Sequence, residues 1–81
     1  MNIMKIINHP TILKAKPIKV VEGLRPHRIV LRQSGDEFIT HCENLKPVQN
    51  GDTLEWHHED FYWGHYYRAR DEAEADFEGR R

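Results

Sequence analysis

The amino-acid sequence predicts an α+β fold, with an antiparallel sheet, a meander of four to six strands, and one C-terminal helix packed on one face. Short runs rich in β-branched and aromatic residues recur along most of the chain, and turn sequences separate them. After Asp71 the apolar residues repeat every four positions, which is typical of a helix. A chain of 81 residues is expected to form a single domain covering residues 1–81.

The first half of the chain is predicted to hold three strands. The first lies within Met1–Ile7, the second is Ile18–Val21 and the third is Arg28–Arg32. Pro10 and Pro17 lie between the first two, and prolines in such a run indicate an edge strand or a loop.

Turn sequences place the strands that follow. Ser34–Asp36 predicts a hairpin turn leading into Phe38–Glu43, and Pro47 is expected to end that strand. Asn50-Gly51 predicts a type I′ turn leading into the strand Thr53–His58.

A polar connection, Glu59-Asp60, is expected before the last strand, Phe61–Tyr67. Gly64 within that strand indicates a bulge or a close approach of another group to the backbone. The helix is predicted over Asp71–Glu78, with Asp71 as its cap in a capping box and with Gly79 as its stop. Its apolar stripe consists of Ala69, Ala73 and Phe77.

Composition points to an intracellular setting. A single cysteine, Cys42, excludes an internal disulfide framework and favours a reducing compartment. We find neither a signal-peptide pattern at the N-terminus nor an apolar run long enough to span a membrane. The expected location is the cytoplasm, with no membrane association.

Charge is distributed unevenly, although the net charge is only −1. Residues 1–35 are strongly basic and residues 36–67 are strongly acidic, so the chain has either an electrostatic binding face or oppositely charged strands that pair with each other. The first possibility makes nucleic-acid binding an alternative function. Its candidate residues are Lys14, Lys16, Lys19, Arg25, Arg28 and Arg32.

Histidines and the cysteine give weak candidates for a metal site, namely His41, Cys42, His58 and His65. Adjacent residues of a strand point to opposite faces, so His57 and His58 are not expected to share an ion. No established metal-ligand spacing, phosphate loop or nucleophile motif is present, so we predict no metal site, no cofactor and no enzymatic activity. A small metalloprotein or an enzyme built on the histidines is the second alternative.

Six aromatic residues lie between Trp56 and Tyr67 and form either a core or a binding platform. Strict alternation would bury Trp56, Phe61, Trp63 and Tyr67 and expose Tyr62 and Tyr66. We therefore predict Tyr62, Tyr66 and His57 as partner-binding residues.

The segment Phe61–Tyr67, followed by Glu72-Ala73 and Ala75–Glu78, resembles the C-terminal end of small uncharacterised proteins encoded by bacteriophages and prophages. This resemblance implies a bacterial or phage origin and an accessory role, and it assigns no activity to any residue. We expect a non-enzymatic binding protein whose partner is a host protein or a second copy of the chain.

Overall fold

A computed structural model, which describes residues 5–81, contains a five-stranded mixed sheet with one helix packed against it. The predicted α+β class is confirmed. Met1–Met4, the beginning of the first predicted strand, lie outside the described residues. The elements in chain order are β1 (Lys5–Ile7), β2 (Ile12–Ala15), β3 (His27–Ser34), β4 (Glu37–Asn50), β5 (Thr53–Tyr67) and α1 (Arg70–Gly79).

The strand order in the sheet is β1-β5-β4-β3-β2. Strands β2 to β5 pair antiparallel with their neighbours in sequence, which is the predicted meander. The short β1 adds to the edge of the sheet and runs parallel to β5, with Lys5 opposite Glu55.

Two tight hairpins of the same kind connect β3 to β4 and β4 to β5. Their loops are Gly35-Asp36 and Gly51-Asp52, and the two glycines have φ values of 62° and 61°. Neither aspartate has a positive φ, so both loops follow the type II′ pattern, which has glycine first. The predicted type I′ turn with Asn50 in the loop is therefore wrong, because Asn50 belongs to β4 and pairs with Thr53.

Three predicted strand boundaries are also wrong. β4 continues through Pro47, because β3 has already ended opposite Asn44 and the proline lies where β4 has lost that neighbour. β5 continues through Glu59-Asp60, where a register shift absorbs an extra residue. Ile18–Val21 forms only an isolated bridge, and the edge strand is instead Ile12–Ala15.

The sheet must curl, because its two edge strands are consecutive in the chain. Four strand spacings would put the edges of a flat sheet about 19 Å apart. The connecting segment Asn8–Thr11 makes a turn in which the N–H of Ile12 donates to the carbonyl of His9 at 3.1 Å, and the ends of such a turn lie within about 7 Å. The segment is therefore too short to cross a flat sheet and lies over the concave face, where Asn8 Oδ1 accepts from Arg28 Nη2 at 2.8 Å.

The helix packs on the convex face and covers an apolar core. Ala73 and Phe77 of α1 contact the buried Ile29, Leu31 and Cys42, so the predicted apolar stripe of the helix is confirmed there. Three partly buried aromatic residues surround this core: Phe38, Tyr62 and Tyr67.

The predicted capping box of the helix is wrong. The N-cap residue is Ala69, which has no side chain able to cap, and Asp71 lies in the first turn, where its carboxylate accepts from the N–H of Glu72. The helix ends at Gly79, and the N–H of Arg80 donates to carbonyls of the last turn.

A second core lies on the concave face. Val30, Ile39 and Leu45 are buried there because alternate residues of β3 and β4 point away from the helix. Beside them Arg28 Nε donates to Glu43 Oε1 at 2.6 Å, with both side chains almost fully buried.

Candidate functional site

A bulge in β5 breaks the predicted alternation of the aromatic segment. His41 on β4 faces two residues of β5, Trp63 and Gly64. A Cβ at Gly64 would lie 2.7 Å from the His41 ring, so the site requires glycine. The bulge and the close approach predicted at Gly64 are thus confirmed.

The bulge turns Trp63 outward. Trp63 has a φ of 53°, a left-handed conformation that is costly for any residue with a side chain. Its indole is 73% exposed, so the prediction that Trp63 is buried is wrong. The ring packs edge-on against Tyr62, with centroids 5.0 Å apart, because a bulge places two successive side chains on one face.

Trp63 borders a cleft of about 370 Å³ on the helix side of the sheet. Ile29, Cys42 and Tyr62 contribute sheet residues to it, and burial raises the pKa of the Tyr62 hydroxyl. The remaining lining residues are Lys19, Leu24, Arg25, His27, Arg28, Asn44 and Arg81.

The loop between β2 and β3 supplies the other wall of the cleft. Lys19 and His27 exchange backbone hydrogen bonds of 2.7 and 3.1 Å, which fix the loop to the start of β3. Within it the N–H of Leu24 donates to the carbonyl of Val21, and Gly23 has a φ of 85°, the pattern of a type II turn. This turn holds Leu24 in the cleft wall while leaving it 61% exposed.

The three predicted partner-binding residues do not share one surface. Tyr62 is half-buried in the cleft, and Tyr66 is exposed opposite Ile39, whose side chain belongs to the concave core. His57 lies farther along the hairpin, where its ring bonds Glu55 at 2.9 Å.

The six predicted nucleic-acid residues are also dispersed. Lys19 and Arg25 line the cleft. Lys14 pairs with Glu74 of the helix at 3.4 Å, and Lys16 donates to backbone carbonyls at the end of the helix. The guanidinium of Arg28 forms a buried ion pair with Glu43, and that of Arg32 lies 4.7 Å over the ring of Phe61. No single basic face joins all six.

The weak metal candidates are separated by the sheet. His65 and Cys42 lie on the helix side, where His65 Nδ1 bonds Asp76 at 2.8 Å. His41 and His58 lie on the concave side around Phe61, at ring-centroid distances of 4.9 and 4.3 Å. Among residues 5–81 no three histidine, cysteine or carboxylate side chains are placed to hold a metal ion.

His41 occupies an unusual position behind the bulge. It is 4% exposed, and neither ring nitrogen has a hydrogen-bond partner among the described residues. Burial, together with the positive charges of Arg32 and Arg80, lowers its pKa to about 4. A neutral ring stacked on Phe61 therefore supports the backbone that presents Trp63.

Thiol chemistry finds little support in the cleft. Cys42 and His27 both line it, but no hydrogen bond joins them among the described residues. The thiol contacts Arg80 Nη2 at 3.8 Å, and His27 Nδ1 bonds the carbonyl of Arg25. A nucleophile needs a base within hydrogen-bond reach, which this pair does not provide.

No protein-family model, curated protein or solved structure matches this chain. The resemblance to phage and prophage proteins therefore stays a prediction. Within residues 5–81, no helix is both long enough and apolar enough to cross a membrane.

Sequence reasoning missed Trp63, Leu24 and Arg81 as site residues. The signal for Trp63 was available in Gly64, because a bulge at that glycine reverses the facing of the residue before it. Leu24 lies after Gly23 within the long loop between β2 and β3, and no periodic pattern marks it.

Proposed function

We propose that this chain is a non-enzymatic binding protein that takes a large apolar side chain of a protein partner into the Trp63 cleft. The observation that carries this proposal is the exposed indole of Trp63 on a left-handed backbone. The conformation costs roughly 1–2 kcal/mol, and the exposed ring contributes little burial in return. A tryptophan held this way is better explained by an interaction than by stability.

The composition of the cleft fits such an anchor. Exposed tryptophan and tyrosine residues at the edge of an apolar depression are typical of binding hot spots. Leu24 and Trp63 extend the apolar surface outward from Ile29 and Tyr62. A volume of about 370 Å³ has room for one or two large side chains, so a segment with an aromatic or long aliphatic residue is the expected ligand.

The test is a selection from a displayed library of random dodecapeptides on immobilised full-length protein, with counter-selection on Trp63→Ala. Expected ligands share an aromatic or long aliphatic residue. As synthetic peptides they should bind with micromolar Kd and lose at least tenfold in affinity to Trp63→Ala. Circular dichroism checks that the variant is folded.

Tyr66→Ala is the matched control, because Tyr66 is also an exposed aromatic residue of β5 but lies on the concave side. It should bind the selected peptides with unchanged affinity. A selection that enriches no peptide over the Trp63→Ala counter-selection would refute the proposal. The proposal would also be refuted if the enriched peptides lost affinity for the Tyr66→Ala variant but kept it for Trp63→Ala.

A further inference from the structure

Every charged residue among 5–81 that lines the Trp63 cleft is basic. Lys19, Arg25, Arg28 and Arg81 line it together with His27, and no aspartate or glutamate of this part of the chain does so. The chain as a whole has a net charge of −1, so this cationic lining is a local feature of the cleft and not a consequence of composition.

Not all of these charges are available to a ligand. The guanidinium of Arg28 is buried against Glu43. Arg25 pairs with Glu59 at 3.0 Å, but 63% of its side chain is exposed, and such surface pairs exchange readily for another carboxylate. Within residues 5–81, neither Lys19 nor Arg81 has a carboxylate within ion-pair distance.

We infer that the segment bound in the cleft carries acidic residues beside its apolar anchor. This inference rests on the proposed function and adds the chemistry of the partner. An anchor side chain between Trp63 and Leu24 would bring its flanking residues to the rim formed by Lys19, Arg25 and Arg81. Opposite charges on the segment would speed encounter and select against basic sequences.

A peptide is favoured over a nucleic acid as the occupant. Ile29, Leu24 and Cys42 line the cleft with apolar atoms, and among residues 5–81 Asn44 is the one amide side chain in the lining that could read the hydrogen-bonding edge of a base. The cationic lining is confined to the cleft, whereas single-stranded nucleic acid needs a basic groove that follows several phosphates. Lys14 pairs with the helix and Arg32 lies on the concave side, so neither extends this rim.

The test uses the peptides that the dodecapeptide selection enriches. We expect two or more aspartate or glutamate residues within three positions of the anchor. In a synthetic peptide, replacing these acids by serine should weaken binding about tenfold, the scale expected from two or three exposed charge pairs. The double variant Lys19→Glu/Arg25→Glu should lose the acidic preference and bind a lysine-substituted peptide more tightly than the acidic one.

The matched control is Lys14→Glu/Lys46→Glu, which changes the net charge by the same amount at exposed residues outside the cleft. It should bind acidic peptides within about twofold of the parent protein, because neither lysine lines the cleft and salt weakens the interaction between exposed, separated charges.

Peptides that share the anchor and require Trp63 but show no acidic bias would overturn this inference and leave the proposed function intact. Failure to enrich any peptide over Trp63→Ala would overturn both.

Anisotropy with a labelled decathymidylate gives a third outcome: micromolar binding that is lost in Trp63→Ala would make single-stranded nucleic acid the occupant. Sedimentation tests a fourth outcome: if the protein is a dimer and the Trp63→Ala variant is a monomer, the occupant of the cleft is a second copy of this chain. Either result would contradict the acidic peptide.

Discussion

Arg28 and Glu43 are opposite charges held almost entirely out of water, with exposures of 3% and 0%. Glu43 also accepts from the ring of His58 at 2.8 Å, and Arg28 reaches Asn8, so both groups have several partners. Such a pair gives little net stability over an apolar pair, but removing one partner leaves the other buried and uncompensated.

Arg28→Met should therefore destabilise the protein by about 3–5 kcal/mol, which is most of the stability expected of a small domain. The double variant Arg28→Met/Glu43→Leu should recover a large part of that loss. Urea unfolding followed by circular dichroism measures both. Arg25→Met removes the exposed pair with Glu59 and serves as the control, with an expected cost below about 1 kcal/mol. Equal losses of stability for Arg28→Met and Arg25→Met would contradict the conclusion that the Arg28–Glu43 pair is buried and the Arg25–Glu59 pair is not.

His41 should make the protein sensitive to acid. Its pKa is about 4 in the folded protein and 6.5 in the unfolded reference, so the folded state binds fewer protons between these values. The stability that depends on a neutral His41 is therefore fully present above pH 6.5 and is lost as the pH falls towards 4. The largest possible loss is about 3 kcal/mol, since one pKa unit corresponds to about 1.4 kcal/mol.

Urea midpoints measured between pH 7 and pH 4.5 test this dependence. His41→Phe keeps an aromatic ring against Phe61 and cannot be protonated, so its stability should fall less steeply over this range. Since the slopes are compared, any packing change caused by phenylalanine cancels. Identical slopes for both proteins would show that His41 does not carry the acid sensitivity.

The bulge is the element that connects the fold to the candidate site. Gly64→Ala would place a Cβ 2.7 Å from the His41 ring, which is buried and has little room to move. We expect a loss of about 1–3 kcal/mol, in the range of overpacked sites. Gly79→Ala at the end of α1 is the matched control, because a Cβ there meets nothing within 4 Å and should be neutral or slightly stabilising. Equal effects at the two glycines would contradict the close approach.

Trp63 itself should be dispensable for folding. Trp63→Gly relieves the left-handed backbone, at a gain of about 1 kcal/mol that offsets the lost contact with Tyr62. Its urea midpoint should equal or exceed that of the parent protein, while peptide binding is lost. A loss of 3 kcal/mol or more would mean that Trp63 belongs to the core, as strict alternation predicts.

The elements that the sequence predicted well are those with strong local signals. Arg28–Arg32 and the turn at Gly35 lie as expected, and so do the helical stripe residues Ala73 and Phe77. The errors occur where tertiary context overrides a local rule. Ile18–Val21 has the composition of a strand, but β3 takes its partner from Ile12–Ala15 instead.

For the candidate site the pattern of residues was less informative. Alternation is a rule for regular strands, and one extra residue reverses it for every aromatic side chain on one side of the bulge. Phe61 and Tyr67, predicted to share a face, therefore lie on opposite sides of the sheet. The basic lining of the cleft combines Lys19, Arg25 and Arg81, which are far apart in sequence and are brought together only by the fold.

At the scale of the whole molecule, one curled sheet separates two cores. Leu31 packs towards the helix, whereas its neighbour Val30 faces the concave side. Along the buried parts of β3 and β4, alternate residues thus face one core or the other. Since the two cores share the same strands, we expect them to unfold together.

Phe77→Ala on the convex side and Leu45→Ala on the concave side should therefore shift the same cooperative transition. Both side chains are buried, and we expect losses of about 3–5 and 2–5 kcal/mol respectively. Far-ultraviolet circular dichroism follows the sheet and helix, and tryptophan fluorescence follows Trp56 and Trp63. The two probes should give one coincident urea transition in the parent protein and in each variant that remains folded. If Phe77→Ala instead produced an early loss of helical signal with the fluorescence transition unchanged, the helix would be a separately melting element and the two cores would be independent.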